Sequence, residues 1–203
     1  MIQAIVFDMG NVLASEGWGR LRLAEFDKLL GWEPGTLLRR MCSGPIWEAY
    51  STGALSPEAY WAQVGAPLQD RLPSDFVKFR DNFYGAELDR TMVDLAWRLR
   101  KHYRIALLSN ATPLLSEGLL QDPLLQGLFH LQIISAQVGM RKPDPAIFHY
   151  TAQALDLPLS ACVLIDDKLR NTRAAQAQGM QVIQHKDPST TKQLLREMGV
   201  RLD

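Results

Sequence analysis

The sequence predicts an α/β fold: a parallel sheet made by alternating strands and helices, with an all-helical block inserted just after the first strand. Three observations carry this reading. Apolar runs of strand length at residues 2–7, 105–108, 162–165 and 180–183 are separated by helical patterns, as expected for strands buried on both faces. Each of the first three ends abruptly in small polar or acidic residues. Between about residues 15 and 85 no such run occurs, and Gly and Pro divide the chain into short helical pieces.

In chain order, the first strand is interrupted only by Gln3 and stops at Asp8. Gly10 and Asn11, the residue types most tolerant of positive φ, then turn the chain. Ligands of an open parallel sheet bind at the carboxyl ends of its strands, so Asp8 faces a crevice in this reading. The plainer alternative is that Asp8 caps a turn. Leu21, Leu23, Phe26, Leu29 and Leu30 give a helical face ending at Gly31, and Pro34 restarts a helix through Leu37, Leu38 and Met41. Ile46, Trp47 and Tyr50 form a further piece ending at Gly53. Ser56-Pro57-Glu58 reads as an N-cap with Pro at the first helical position. Pro73 opens a last piece bearing Phe76, Phe79 and Phe83. Trp18 and Trp47 are expected in the core rather than lining a pocket.

Alternation then resumes. Leu88, Met92, Leu95 and Leu99 are spaced as one helical face. The strand at 105–108 closes on Ser109-Asn110, and Ile133-Ile134 marks another strand. Gly139-Met140-Arg141-Lys142-Pro143 leads into a helix with Ile147 and Tyr150. The strand at 162–165 closes on Asp166-Asp167, a helix over 173–178 ends at Gly179, and a C-terminal helix begins at Pro188. The core thus comprises residues 1–14 and 86–203, and the helical block residues 15–85.

The 203 residues suffice for one core domain carrying a small insertion. Lys plus Arg equals Asp plus Glu, so nothing in the balance points to nucleic acid or an anionic membrane as partner. Cys42 and Cys162 lie far apart, as expected of free thiols in a reducing compartment. No apolar run reaches membrane-spanning length and no secretory leader pattern is present, so a cytoplasmic location is expected. Oligomeric state is not legible.

If the strands are parallel neighbours, Asp8, Ser109-Asn110, Lys142 and Asp166-Asp167 converge on one sheet edge. Three carboxylates so close repel unless a cation sits among them, and oxygen-only ligation suits Mg²⁺. Lys142 adds positive charge across a phosphoryl group, and Ser109 and Asn110 offer hydrogen bonds to its oxygens. Singly, Asp166-Asp167 reads equally as a helix N-cap and Lys142 as a solvated charge; their joint order and spacing favour a site.

In these segments the sequence resembles the haloacid dehalogenase-like (HAD) hydrolase superfamily, whose four motifs occur in the same order with a helical cap after the first. Leu108-Ser109-Asn110, Gly139-Met140-Arg141-Lys142-Pro143 and Asp166-Asp167 followed by Asn171 look most like the subgroup holding the phosphatase domain of soluble epoxide hydrolases and bacterial sugar-1-phosphate phosphatases. The resemblance implies a Rossmann-like core and a small phosphorylated metabolite, such as a sugar phosphate, as substrate. It implies Asp8 as nucleophile through an aspartyl-phosphate, with Ser109 and Lys142 as its catalytic partners. Mg²⁺ would be held by Asp8, the Gly10 carbonyl and Asp167, with Asp166 assisting. Phosphate oxygens would meet Asn11, Ser109, Asn110 and Lys142, under a cap that closes over the site. One departure stands out. Phosphatases of the family usually carry a second Asp two residues after the nucleophile, and here that position is Gly10. Glu16 or the cap residue Glu48 are the substitutes considered. A 2-haloacid dehalogenase, which needs neither that Asp nor a metal, and a non-catalytic phosphate-binding protein remain as alternatives.

Overall fold

The computed structural model describes residues 1–15, 17–65, 68, 71–73, 76, 86–112 and 118–203, with the side chains of 17–20 left aside. Glu16, Phe79, Phe83 and the side chain of Trp18 therefore lie outside the described residues.

Five parallel strands form the core sheet in the order β5-β4-β1-β6-β7: β1 (Ala4–Phe7), β4 (Arg104–Ser109), β5 (Leu131–Ile134), β6 (Cys162–Asp166) and β7 (Gln181–Gln184). β1 is central, pairing Phe7 with Leu107 on one side and with Ile165 on the other. The strand-order reversal beside β1 puts Asp8 at the crevice where such sheets bind ligands. Alternate residues split between two cores. Ile5, Phe7, Ile105, Leu107, Val163 and Ile165 face one side, with Met92, Leu95 and Leu99 of helix α5 (Arg90–Leu99) and Leu195 of α9 (Pro188–Glu197). Ala4, Val6, Ala106, Leu108 and Leu164 face the other, with Ile147 and Phe148 of α7 (Pro145–Ala154) and Ala175 of α8 (Leu169–Ala177). Fully burying each large aliphatic side chain contributes roughly 1.5–3 kcal/mol.

The helices between β1 and α5 keep a core of their own, in which Leu23, Phe26, Leu30, Leu37, Met41, Tyr50, Tyr60 and Phe76 are buried together. They are α1 (Gly17–Leu30), α2 (Thr36–Cys42), α3 (Gly44–Ser51) and α4 (Pro57–Val64). The buried face of α1 differs from the expected one. Leu21 and Leu29 are exposed, whereas Asp27 is fully buried on the same stripe as Leu23, Phe26 and Leu30. Its carboxylate accepts from Gly35 N and Leu37 N, both at 2.7 Å, and so satisfies two orphan donors at the start of α2. Ser56 caps α4 as expected, accepting from Ala59 N at 3.1 Å. Trp47 packs edge-on against Tyr50 and Tyr60, as core material does.

Two short strands, β2 (Ala14–Ser15) and β3 (Glu87–Leu88), pair antiparallel where the chain leaves and re-enters the sheet domain. Leu88 belongs to β3 rather than to the expected helix, because Asp89 caps α5 by accepting from Met92 N at 3.0 Å. Cys42 and Cys162 are not joined in a disulfide. Among the described residues no helix is long and apolar enough to cross a membrane.

Candidate active site

The carboxyl edge of the sheet gathers the polar residues that end its strands. Asp8 follows β1 and is fixed by its own N–H, which donates to Ile165 O of β6 at 2.9 Å. The residue is 4 % exposed. Asp8 Oδ1 accepts from Met9 N at 2.8 Å and pairs with Lys142 Nζ at 2.9 Å. Both of these contacts fall on one oxygen.

Lys142 is 1 % exposed, so the solvated alternative for this residue does not hold. Its Nζ meets Asp8 Oδ1, Asp166 Oδ2 at 2.7 Å and the Leu108 carbonyl at 2.7 Å. Three acceptors match the three N–H bonds of an ammonium. The loop carrying Lys142 is clamped to β4 by Asn110, whose Oδ1 accepts from Lys142 N at 2.8 Å while its Nδ2 donates to Lys142 O at 2.6 Å. Asn110, expected on the substrate, thus spends both its polar atoms on positioning Lys142. Ser109 ends β4 on the same edge, buried, two residues past the partner of Phe7.

The acidic pair divides by environment. Asp166 is fully buried, and its oxygens accept from Lys142 Nζ, from Lys168 N at 2.8 Å and from Asn171 Nδ2 at 3.0 Å to each oxygen. Asn171 sits in the first turn of α8 and holds the carboxylate flat against Lys142. Asp167 Oδ2 accepts from Asn11 Nδ2 at 3.2 Å, whereas Asp167 Oδ1 is buried with no hydrogen-bond partner. Asn11, another expected substrate contact, is therefore turned to Asp167. The positive φ of this turn belongs to Asn11 (φ 55), one of the few side chains that accept it.

Asp8, Asp166 and Asp167 each offer an oxygen, all within 4.8 Å of one another. Two of these carboxylates are fully or almost fully buried, and among the described residues Lys142 is the ammonium in direct contact with them. Burial raises the Asp8 pKa to about 6, against the pull of Lys142 and with a further push from Asp166. Burial alone would depress Lys142, but the charges of Asp8 and Asp166 outweigh it and hold the ammonium above its ordinary range. The site is thus short of positive charge. An orphaned buried oxygen in an oxygen-only donor set is what a hard divalent cation satisfies.

Helix α3 leans on this edge. Glu48 of α3 pairs with Arg141 at 3.5 Å. The Ser51 carbonyl accepts from Ser135 Oγ at 2.5 Å, and Ser135, at the start of helix α6 (Ser135–Val138), is itself held by Ala111 N at 3.0 Å. A Cβ on Gly53 would stand 2.2 Å from the Ala136 carbonyl, so only glycine lets the backbones approach this closely. Ser135 and the Leu108 carbonyl escaped the sequence reading because neither carries a motif. Asn171 was visible only through its place after Asp166-Asp167.

Residues 2–179 match the model of the haloacid dehalogenase-like hydrolase family. The chain is 27 % identical to the sesquiterpene phosphatase astK of Aspergillus oryzae, covering 97 % of this chain and 96 % of the relative. It is 26 % identical to the D-ribitol-5-phosphate phosphatase of Bacteroides thetaiotaomicron, over 96 % of this chain and 97 % of that one. The HAD-family enzyme bt-2542 from the same bacterium, solved with magnesium and inorganic phosphate, superposes with a TM-score of 0.72 at 20 % identity, over 92 % of this chain and 95 % of that chain. With its match across most of the chain and its sheet of the same fold, this protein belongs to the haloacid dehalogenase-like hydrolases.

Proposed function

We propose that this hydrolase is a Mg²⁺-dependent phosphatase acting on a small phosphorylated metabolite, with residues 15–85 as its cap and residues 1–14 and 86–203 as its core. The observation that carries the reading is the buried, unpartnered Asp167 Oδ1 beside the Asp8 and Asp166 carboxylates. Phosphatase names among full-length relatives add support.

Asp8, Asp167 and the Gly10 carbonyl would hold Mg²⁺, which when bound supplies charge neutralisation for a transferring phosphoryl group. Asp166 has its oxygens engaged by Lys142, Lys168 N and Asn171, so its share is to aim Lys142 and to add negative charge to the metal site. Asp8 Oδ1 is occupied by Met9 N and Lys142, which leaves Oδ2 to attack phosphorus in line and form the aspartyl-phosphate. Once Asp8 is esterified its negative charge is gone, and Lys142 exchanges that contact for a phosphoryl oxygen. Ser109 meets a second oxygen from the end of β4. Asn11 and Asn110 act one step back, orienting Asp167 and Lys142. Gly10 supplies no proton, so the leaving group departs with little help from this position; general acid-base assistance is worth about 10²- to 10⁴-fold. That favours substrates with good leaving groups.

Phosphate release from p-nitrophenyl phosphate and a panel of sugar phosphates, with and without Mg²⁺, tests the reading. Mg²⁺-dependent release lost in Asp8→Asn supports it. Chloride release from 2-chloropropionate without metal would replace it with the dehalogenase. Stabilisation by beryllofluoride and Mg²⁺ without turnover would replace it with a binding protein.

A further inference from the structure

Arg141, beside the catalytic lysine, has no part in the proposed phosphoryl transfer. We infer that Arg141 is a specificity residue that grips a second anionic group on the substrate, with Glu48 as the resident counter-ion it gives up. This rests on the phosphatase reading and narrows it to phosphate esters bearing another carboxylate or phosphate.

Position is the first argument. Arg141 directly precedes Lys142, whose main chain is clamped by Asn110, so the backbone that carries Arg141 is as fixed as the catalytic lysine. Its side chain runs between α3 of the helical block and the start of α8, where Arg170 lies near enough for the two charges to oppose each other. Lys168 is close enough to act on Asp8. The rim therefore gathers Arg141, Lys168 and Arg170, and Glu48 is the anion that meets Arg141 there.

Bonding is the second. Arg141 Nε is buried with no partner, although a buried charged donor left unmade is costly. The pair with Glu48 is made through Nη1 at 3.5 Å, and the Glu48 side chain is 65 % exposed. An exposed single contact of that length holds little. A guanidinium offers parallel N–H bonds along its Nε–Nη edges to carboxylate or phosphate oxygens, and here Nε is the half not yet used. Glu48 is thus a weak placeholder, and an anion engaging the fork satisfies the donor it leaves orphaned.

Two matched substrate pairs test this: 2-phosphoglycerate against glycerol 2-phosphate for a carboxylate, and fructose 1,6-bisphosphate against fructose 6-phosphate for a second phosphate. Wild type should favour one of the two-anion members in kcat/KM by roughly ten- to hundredfold, mainly through KM. Arg141→Gln should bring that ratio to near one, Arg141→Lys should retain only part of it, and Glu48→Gln should lower KM for the two-anion member. Which pair discriminates assigns carboxylate or phosphate. A ratio near one in wild type, or one that Arg141→Gln leaves intact, overturns the inference while any Mg²⁺-dependent phosphate release keeps the phosphatase reading. If no compound is turned over, the phosphatase reading falls. The inference is then read from thermal stabilisation by the same compounds, where equal shifts within each pair overturn it and a preference lost in Arg141→Gln upholds it.

Discussion

Replacing Asp8 by Asn should make the metal-free protein more stable at neutral pH while destroying its activity. Asp8 Oδ1 takes both side-chain contacts of this residue, from Met9 N and Lys142 Nζ, and an Asn Oδ1 accepts both. What the substitution removes is a buried negative charge. The Asp8 pKa rises from 3.8 to about 6 in the fold, roughly two units at about 1.4 kcal/mol each, or about 3 kcal/mol. Well below pH 3.8 the carboxyl is protonated in both folded and unfolded chains and nothing is lost. As pH climbs from about 4 to 6 the unfolded chain ionises first, so wild-type stability falls; above 6 the loss is constant. Asp8→Asn escapes that loss, and at pH 7.5 in EDTA it should exceed wild type by about 2–3 kcal/mol, roughly 4–12 °C in melting temperature for a chain of this size. Added Mg²⁺ should stabilise wild type and narrow the gap. Calorimetric melts at pH 4, 5, 6 and 7.5, with EDTA or Mg²⁺, supply the readout. A variant no more stable than wild type at pH 7.5 in EDTA, or one with the same pH dependence, would refute the charge argument.

Other outcomes follow from the same geometry. Asn110→Ala removes both bonds to the Lys142 main chain and should cost about 1–3 kcal/mol in denaturant titrations, with kcat falling more than KM rises because Lys142 loses its aim. Gly53→Ala places a methyl 2.2 Å from the Ala136 carbonyl and should force α3 away from Ser135, seen as faster hydrogen exchange across residues 44–53. Gly10→Asp should raise kcat on alkyl phosphates by about a hundredfold more than on p-nitrophenyl phosphate, the lower end of general acid help, since the left-handed residue in that turn is Asn11. Equal effects on both substrates would show that the residue at this position does not assist the leaving group.

The sheet was readable because its strands are buried on both faces and end in polar residues, so Phe7-Asp8, Leu108-Ser109 and Ile165-Asp166 announce both strand and edge. The same logic brought Asp8, Lys142 and the acidic pair together. What linear order hides is where a side chain spends its bonds. Asn110 looked like a phosphate ligand but clamps Lys142, and Asn11 serves Asp167. In α1, Leu21 and Leu29 fit an apolar face only while Asp27 counts as polar and exposed; as a cap for α2 it turns inward and rotates the buried stripe. β2 and β3, two residues each, are too short to show any period.

The most direct test of the account traps the covalent species. Enzyme turning over a phosphate ester with Mg²⁺ is quenched, reduced with borohydride and mapped by peptide mass spectrometry. An acyl phosphate at Asp8 becomes homoserine at position 8, and the label should vanish without Mg²⁺ and in Asp167→Asn. Phosphate release with no modification at Asp8, or with the label on another residue, would contradict the account.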